Sequence, residues 1–526
     1  MEVESQEHRR ILKATVVVGG STLVSRIFGY IRDMVVASFF GTGMAADAFF
    51  VAFRLPNLLR RLIGEGSMTV SFIPVFTDYL KKGDKEETAR FLSSCFSVLV
   101  CLLLIVSALG VLMAPWLVRI IAPGFTREPE KISLTVSLTR IVFPYILFVS
   151  LVAFSMGILN TYRIFFPPAF SPVLLNVAMI ASVIFLHRLF DPPIYALAWG
   201  VIAGGILQLF FQVPFLLKNG FRIKFSWNPL HPGLKKVVTL MGPSIVGIAV
   251  YQLTVFINTL LASFLPSGSV SYLYYADRLM QFPLGIFAIA MGTAALPSFS
   301  SLAGEGPKPL AETIGFTLRL IFMIAIPASV GLILLREPII GLLFQHGAFT
   351  EISRHATATA LLGYAIGLFA VSGVRVVVPG FYALKDAKTP VRIAIIALIL
   401  NILFGILLMH PLKHLGLALA TSLSSIANLL LLIITLHRRL QNMAWKAIGK
   451  SLIEIIGASL GMGLFLLIFQ QKLPILPAVL FRERLFRLAL SLFGGGTVYL
   501  IILMALGNSE FNYILKTLKA KRDKRV

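Results

Sequence analysis

The sequence is poor in cysteine and in charge. Only Cys95 and Cys101 are present among its 526 residues, and both lie in one apolar segment. A disulfide framework or a cysteine-based metal site needs more thiols than this, so two buried free thiols are expected. Charged residues make up only 13% of the chain, whereas 57% of it is hydrophobic. A soluble domain of this length does not tolerate that balance, which indicates a polytopic membrane protein.

Recognisable enzyme signatures are scarce. The chain has no H-E-x-x-H motif, and the segment AWKAIGKS, which ends at Ser451, lacks the first glycine of a phosphate-binding loop. The eight histidines fall in predicted loops or at the ends of apolar segments, without the spacing of metal ligands. We therefore expect a protein that is not an enzyme, with no catalytic residues, no cofactor and no metal site.

Acidic residues are also few. The 47 basic residues outnumber the 23 acidic ones, which gives a formal net charge of +24. The basic residues are spread over short loops rather than gathered in one domain, so we attribute the excess to the membrane and not to nucleic acid. If the N-terminus is cytoplasmic, the cytoplasmic loops hold about 27 basic residues against about 11 on the other side. This bias predicts a multi-pass protein with both termini in the cytoplasm.

Apolar runs long enough to cross a bilayer recur about fourteen times along the chain. Two stretches return at an offset of about 225 residues. ASFFGTG, from Ala37 to Gly43, returns as ASFLPSG, from Ala262 to Gly268, and PWLVRIIAPGFT from Pro115 returns as PIIGLLFQHGAFT from Pro338. Six spans separate the copies, so both have the same orientation. The predicted fold is all-α and polytopic, with two parallel six-helix repeats plus two C-terminal helices.

The repeat also predicts the domain boundaries. The N-terminal six-helix lobe is expected at 1–217, a cytoplasmic linker at 218–236 and the C-terminal six-helix lobe at 237–436. Residues 437–526 are expected to form the two extra helices and a basic cytoplasmic tail.

Charge is densest, within an apolar background, between Ser21 and Thr69. A charged side chain near the middle of a bilayer costs about 2.5 to 3.5 kcal/mol, so these residues should face a polar cavity or one another. On a helix, Asp47, Arg54 and Arg61 are seven residues apart and form one polar stripe. The candidates of this stretch are Arg26, Arg32, Asp33, Asp47, Arg54, Asn57, Arg60, Arg61 and Glu65.

The five arginines of this stretch outnumber its three acids, which favours an anionic ligand. The second half of the chain adds Asp277 and Arg278, in SYLYYADRLMQFP, near the repeat position of Arg54. Arginines that converge from both lobes on one cavity would give a bidentate grip on a phosphate. Two other interpretations remain open. The charges could pair with one another and hold the helix bundle together, or Arg26, Arg60 and Arg61 could extend to the membrane surface.

Three segments carry a family resemblance: SRIFGYIRD, GTGMAADAFFVAFRLPNLLRRLIGEG and NTLLASFLPSGSVSYLYYADRLMQFP. With them, nearly the whole chain resembles the MurJ (MviN) family of bacterial lipid II flippases, in the wider multidrug/oligosaccharidyl-lipid/polysaccharide exporter group. The resemblance implies two lobes around a central cationic cavity, and a hydrophobic groove at the last two helices for a polyprenyl tail.

Carried over position by position, the resemblance implies that the substrate is bound by Arg26, Arg32, Arg54, Asn57, Arg60, Arg61 and Arg278. The acids expected to gate the cavity or pair with arginines are Asp33, Asp47, Glu65 and Asp277. Helical phase favours Arg61 over Arg60 as the cavity residue. The implied function is to flip the undecaprenyl-diphosphate-linked peptidoglycan precursor, lipid II, to the outer leaflet of the bacterial inner membrane by alternating access, for cell-wall synthesis.

The expected partners are this lipid-linked diphosphate, membrane lipids and the cell-wall synthesis machinery, with a monomer as the working unit. Since no nucleotide-binding motif is found, we expect the membrane potential or an ion gradient to drive transport.

Several alternatives stay open. A flippase for another polyprenyl-linked oligosaccharide would share these features, whereas a multidrug exporter of cations would favour carboxylates over arginines in its cavity. A membrane enzyme acting on polyprenyl phosphates predicts an exposed acid/base constellation, which the sequence does not reveal. A structural scaffold predicts that neutral replacement of Arg32 or Arg278 leaves growth intact.

Overall fold

The structure is a computed structural model that describes residues 2–61, 69–221, 224–440, 443–475 and 480–523. Within these ranges the regular elements are all helices. The predicted all-α membrane fold is confirmed. Among the described residues, nine helices are long and apolar enough to cross a membrane, or ten if one bent pair counts as a single span. The predicted total of about fourteen spans stays a prediction.

The chain divides into two compact units. Unit 1 contains Met1–Ser271 together with His346–Phe349, and unit 2 contains Tyr272–Gln345 and Thr350–Val526. The predicted lobes were defined by the internal repeat rather than by compactness, so their boundaries stay a prediction.

The helices of unit 1 are α1 (Glu2–Phe40), α2 (Met44–Leu59), α3 (Thr69–Lys82), α4 (Lys85–Leu112), α5 (Ala114–Ile121), α6 (Pro129–Val142), α7 (Tyr145–Thr161), α8 (Phe166–Leu186), α9 (Ile194–Lys218) and α10 (Pro232–Ser263). Short 3-10 turns lie at Pro123–Arg127 and His187–Leu189. Helix α11 (Ser269–Pro283) begins in unit 1 and ends in unit 2.

Capping residues account for several helix starts in unit 1. The Asp84 carboxylate accepts a hydrogen bond of 3.0 Å from the Glu87 amide and begins α4. The His231 ring accepts one of 3.1 Å from the Gly233 amide and begins α10, with Pro232 at the first helical position. Both caps satisfy amides that the helix itself leaves without partners.

Packed aromatic rings form a core between α3, α4 and α7. The ring of Phe72 lies 5.4 Å from Phe76, 5.9 Å from Phe91 and 5.1 Å from Phe154, measured between centroids. Contacts of this kind stabilise a core beyond the area that they bury. Next to it, the segment before α10 lies against α4, because the Ser226 amide donates to Ser97 Oγ at 2.7 Å.

The helices of unit 2 that follow α11 are α12 (Ile289–Leu302), α13 (Pro307–Leu334), α14 (Arg336–Leu343), α15 (Glu351–Ile366), α16 (Leu368–Ala383), α17 (Lys388–Leu440), α18 (Trp445–Lys472), α19 (Phe481–Ala505) and α20 (Ser509–Asp523). A π-helical turn at Leu284–Ala288 follows Pro283 and joins α11 to α12. Lys413, at φ 50°, breaks α17 into two helices. Helix α13 packs against α16 and α18.

Candidate functional site

Arg32 and Asp33 are buried where α1 packs against α8. The Arg32 guanidinium donates through Nε and Nη2 to Asp33 Oδ1, at 3.0 and 2.6 Å. Its Nη1 donates to Asn176 Oδ1 of α8 at 3.1 Å, and the Asn176 amide donates back to the Ser25 carbonyl at 3.3 Å. Arg32, which is predicted to bind substrate, therefore lies in an ion pair that also joins two helices. Arg26, one and a half turns earlier, is half-buried.

Asp47, in the first turn of α2, is completely buried and has four donors. Its carboxylate accepts hydrogen bonds from the Gly268 amide at 2.7 Å and from the Ser271 amide and hydroxyl at 2.9 and 2.6 Å. The fourth donor is the Lys131 ammonium of α6, at 3.1 Å. Two of the donors are backbone amides at the N-terminus of α11, where a negative charge is favoured. Asp47 thus caps α11 from a distant part of the chain.

Arg54 is half-buried two turns further along α2 and faces α10. Its Nη1 donates to the Thr259 hydroxyl and, at 3.5 Å, to the Val255 carbonyl. Both acceptors are neutral, so these two bonds do not neutralise the charge of Arg54. The polar stripe of α2 therefore meets α10 with Arg54 and the start of α11 with Asp47, both inside unit 1.

The C-terminal end of the stripe contains Asn57, Arg60 and Arg61, all half-buried. Arg60 Nε donates to Asn57 Oδ1 at 3.1 Å. The structure thus brings Arg60 together with one residue of the stripe, and the choice between Arg60 and Arg61 stays a prediction. Glu65 lies outside the described residues.

In unit 2, Asp277 and Arg278 are half-buried on α11. The Asp277 carboxylate accepts a hydrogen bond from the Gln281 side chain one turn later. The neighbouring Tyr275 is fully buried, with its ring 5.0 Å from that of Phe344. This packing fixes the rotation of α11 in unit 2 and hence the direction of Arg278 from the helix axis.

The two copies of the internal repeat each contain a glycine turn, at Gly124 and at Gly347. Each turn contacts the C-terminal end of a helix, and these two helix ends also match each other in the repeat. In the first, the Gly124 amide donates to Ser263 Oγ at 3.0 Å, and a Cβ on Gly124 would lie 2.2 Å from the Ser263 carbonyl oxygen. In the second, the Ala348 amide donates to the Ser38 carbonyl at 2.7 Å, and a Cβ on Gly347 would lie 2.3 Å from that oxygen. Each turn of the sequence repeat thus contacts the helix end of the other copy, within unit 1.

Sequence reasoning missed three partners of these side chains: Asn176, Lys131 and Thr259. Lys131 lies between Glu130 and an apolar run that follows it in the sequence, so its position alone suggests a solvated loop. Each partner is an ordinary polar residue whose role depends on a second, distant segment.

Helix α18 contains a motif that resembles a hydrolase signature. Gly457, Ser459 and Gly461 fit the pattern G-x-S-x-G. A nucleophilic serine of this kind needs a sharp turn between a strand and a helix. Ser459 instead lies inside α18, where its hydroxyl donates to the Ile455 carbonyl at 2.7 Å. This motif therefore gives no support to an enzyme.

Buried ion pairs and half-buried arginines within an apolar helical protein mark a functional site. A multidrug resistance MATE family transporter of the MOP superfamily, in an inward-facing conformation, has a similar structure. The TM-score is 0.67 at 15% identity, over 82% of this chain and 98% of that one. At this identity the similarity concerns the fold alone, which is that of an all-helical membrane protein.

More specific comparisons identify the family. The model of the lipid II flippase MurJ family matches residues 36–496. The lipid II flippase MurJ of Burkholderia cenocepacia is 38% identical over 455 residues, which cover 86% of this chain and 88% of that protein. A solved structure of lipid II flippase MurJ, in an inward closed conformation, has a TM-score of 0.78 at 28% identity, over 93% of this chain and 98% of that one. The chain belongs to the lipid II flippase MurJ family.

Proposed function

We propose that this chain flips lipid II across the bacterial cytoplasmic membrane for cell-wall synthesis. Membership of a flippase family makes it a transporter rather than an enzyme and a multi-pass membrane protein. The observation that carries the proposal is the polar stripe of Asp47, Arg54 and Arg61, which lies inside the matched region. Asp47 of this stripe contacts the start of α11, and Arg54 contacts α10.

We assign the diphosphate to Arg26, Arg32, Arg54, Arg61 and Arg278, with Asn57 and Arg60 beside them. Arg54 supports this assignment by its charge and by its half-buried place on the polar stripe, where its guanidinium contacts the Thr259 hydroxyl and the Val255 carbonyl. Arg32 has a fixed orientation from Asp33 and Asn176, so it would meet the substrate without losing much side-chain freedom. Asp47 and Glu65 gate the cavity or orient the arginines.

The membrane potential is a sufficient source of energy. Transport in this proposal starts in the cytoplasmic leaflet and ends in the outer leaflet by alternating access. A negative charge that moves outward across a potential that is negative inside gains about 2.3 kcal/mol per 100 mV. A diphosphate therefore moves down the electrical gradient, and an ion gradient would add to this.

The proposal has both termini in the cytoplasm, and the excess of basic residues in the loops on that side supports this orientation.

The test measures the leaflet in which the precursor lies. In cells depleted of their own flippase, an enzyme that cleaves only precursor exposed on the outer face is added. We expect exposed precursor to disappear on depletion and to return when this chain is supplied. Arg54→Ala should not restore it, whereas Arg90→Ala should, since Arg90 lies on the exposed surface of α4. Unchanged exposure after depletion, or rescue by Arg54→Ala as complete as rescue by Arg90→Ala, would assign the arginines to another anion.

A further inference from the structure

The connection between α9 and α10 exposes large apolar side chains. Residues 224–231, which we call the anchor segment, lie outside the helices. Within this segment Phe225, Trp227 and Leu230 are 63%, 58% and 88% exposed. Three such side chains within six residues form an apolar patch on a loop, and patches of this kind mark contacts with a membrane or with another protein.

Two hydrogen bonds attach the anchor segment to α4 within unit 1. The Lys224 amide donates to Ser93 Oγ at 3.3 Å, and the Ser226 amide donates to Ser97 Oγ at 2.7 Å. Both serines are buried, although α4 is long and apolar enough to cross a membrane. The exposed apolar side chains therefore extend from a backbone that is fixed on a candidate membrane span.

His231 fixes the other end of the anchor segment. Its Nε2 lies 3.3 Å from Glu87 Oε1 of α4, and its ring centroid lies 5.6 Å from that of Phe91. Its Nδ1 accepts the hydrogen bond from the Gly233 amide that begins α10. The anchor segment is thus held on α4 at both ends and leads directly into α10.

These contacts place the anchor segment at a border along α4. Arg90 is the last charged residue near the start of this helix, and residues 91–118 contain no charge. With a rise of 1.5 Å per residue, Ser93 and Ser97 lie about 5 and 10 Å beyond Arg90 along the helix. A span enters the hydrocarbon where its charges end, so this level corresponds to the lipid headgroups. Tryptophan and other aromatic side chains are favoured there.

The charges around the anchor segment are basic. Residues 218–240 contain five lysines and arginines and no acidic residue. Of the five, Lys224 lies in the segment itself, Lys235 and Lys236 follow in the first turns of α10, and all three are exposed. Lysines close to a membrane surface attract anionic phospholipids.

We propose that the anchor segment binds the membrane interface and prefers anionic phospholipid. Phe225, Trp227 and Leu230 enter the layer between the headgroups and the acyl chains, and the three lysines bind the headgroup phosphates. A peripheral protein could also cover the apolar side chains, but it would not account for their position at the charge border of α4. The inference goes beyond the transport of lipid II and does not depend on it.

Trp227 reports its own depth in the bilayer. The full chain contains four tryptophans, and replacing Trp116, Trp199 and Trp445 by phenylalanine leaves Trp227 alone. The protein is placed in nanodiscs with phosphatidylcholine brominated either just below the headgroup or near the end of the chain. We expect the first lipid to quench the fluorescence of Trp227 at least about threefold more strongly than the second. Iodide in the water should quench it little.

A matched control places the single tryptophan on the charged side of the border. In Glu86→Trp, combined with Trp227→Phe, it replaces a side chain that is 85% exposed in the first turn of α4. Iodide should quench this tryptophan strongly, and both brominated lipids should quench it weakly. Trp227 quenched by iodide and not by lipid would overturn the inference. Trp227 shielded from both would mean that protein covers the segment, which would overturn it too.

A second measurement tests the preference for anionic headgroups. At equal mole fraction, brominated phosphatidylglycerol should quench Trp227 about twofold more strongly than brominated phosphatidylcholine. The triple variant Lys224→Gln/Lys235→Gln/Lys236→Gln should lose this preference. A control variant that removes three exposed lysines of unit 2 should keep it: Lys446→Gln/Lys450→Gln/Lys516→Gln. Equal quenching of the parent by the two lipids would overturn the preference for anionic phospholipid.

The test does not depend on the folding of the single-tryptophan protein. If the three phenylalanine replacements disturb folding, the unsubstituted chain is compared with Trp227→Phe, and the difference in quenching gives the signal of Trp227. Flipping of lipid II is measured separately on the same protein. A chain that does not flip lipid II, but whose Trp227 is quenched by shallow brominated lipid, contradicts the proposed function and supports the anchor segment.

Discussion

At the scale of single residues, the predicted arginines differ in what surrounds them. Arg32 is buried in an ion pair with Asp33, whereas Arg54 donates to a hydroxyl and a carbonyl. A charge already paired with a carboxylate attracts a second anion less than the same charge would without that carboxylate. We therefore expect Arg32 to contribute to helix packing and orientation as well as to substrate affinity.

Loss of the proposed phosphate ligands should abolish function without loss of protein. A charge-assisted hydrogen bond contributes about 1.5 to 3 kcal/mol, so Arg54→Ala and Arg278→Ala should each reduce flipping at least about tenfold. Arg32→Ala should reduce flipping too and also lower thermal stability, because it leaves Asp33 buried without its partner. Growth complementation, membrane abundance and melting temperature are measured for each variant. Normal growth with both Arg54→Ala and Arg278→Ala would contradict their assignment to the diphosphate.

A second prediction concerns Asp386, in the loop between α16 and α17. Hydrogen bonds from Thr389 and the nearby Arg439 guanidinium, 2.7 Å away, lower the pKa of Asp386 despite its partial burial. Since the pKa is lower in the folded than in the unfolded protein, the stabilisation is complete above the ordinary aspartate pKa of about 3.9. It is lost as the pH falls through the folded value.

We therefore expect Asp386→Asn to melt at a lower temperature than the parent at pH 7, with a difference that shrinks below about pH 4. Thermal unfolding in detergent from pH 7 to pH 3 measures this. Glu86→Gln is the control, since that side chain is 85% exposed in its surface pair. A difference for Asp386→Asn that stays constant with pH would show that the lost carboxylate charge is not the cause.

At the scale of helices and turns, the two related glycine turns are the most constrained elements. Gly347 has a φ of +55° and no room for a side chain next to Ser38. Gly83 has a φ of +76° but open space around it. Gly347→Ala should therefore add a clash to the strain of about 1 kcal/mol that both alanine variants share. We expect it to lower the melting temperature well beyond Gly83→Ala, and equal shifts would mean that Ser38 moves away freely.

Helix α20 is attached to unit 2 by a buried carboxylate. Glu510 accepts from Arg319 Nε of α13 at 2.6 Å and from the Ser451 hydroxyl of α18 at 2.9 Å. Removing one partner of a buried pair costs about 3 to 5 kcal/mol, whereas an exposed pair contributes about 0 to 1 kcal/mol. Glu510→Gln should thus expose α20 to limited proteolysis, and Glu483→Gln, in the more exposed pair with Arg487, should not. Identical digestion patterns would show that other contacts hold α20.

At the scale of the whole molecule, transport by this chain should depend on the membrane potential. The sequence contains no nucleotide-binding motif, and the proposed substrate carries its negative charge outward. In liposomes with a potassium gradient and an ionophore, a potential of about 100 mV that favours outward movement should speed flipping of lipid II several-fold. Reversing the gradient should slow it. Equal rates in both directions would point instead to an ion gradient or to consumption of the precursor outside.

The sequence by itself determined the class, the family and the helical segments that contain the candidate residues. Arginines in apolar runs such as the stripe of Arg54 and Arg61 stand out because the cost of a charge in lipid depends on local composition. Only the tertiary structure decided which groups meet. Asn176 beside Arg32, Lys131 beside Asp47 and Thr259 beside Arg54 come from segments 84 to 205 positions away. Helical periodicity specifies which residues share a face, but the partner of that face depends on how the helices pack.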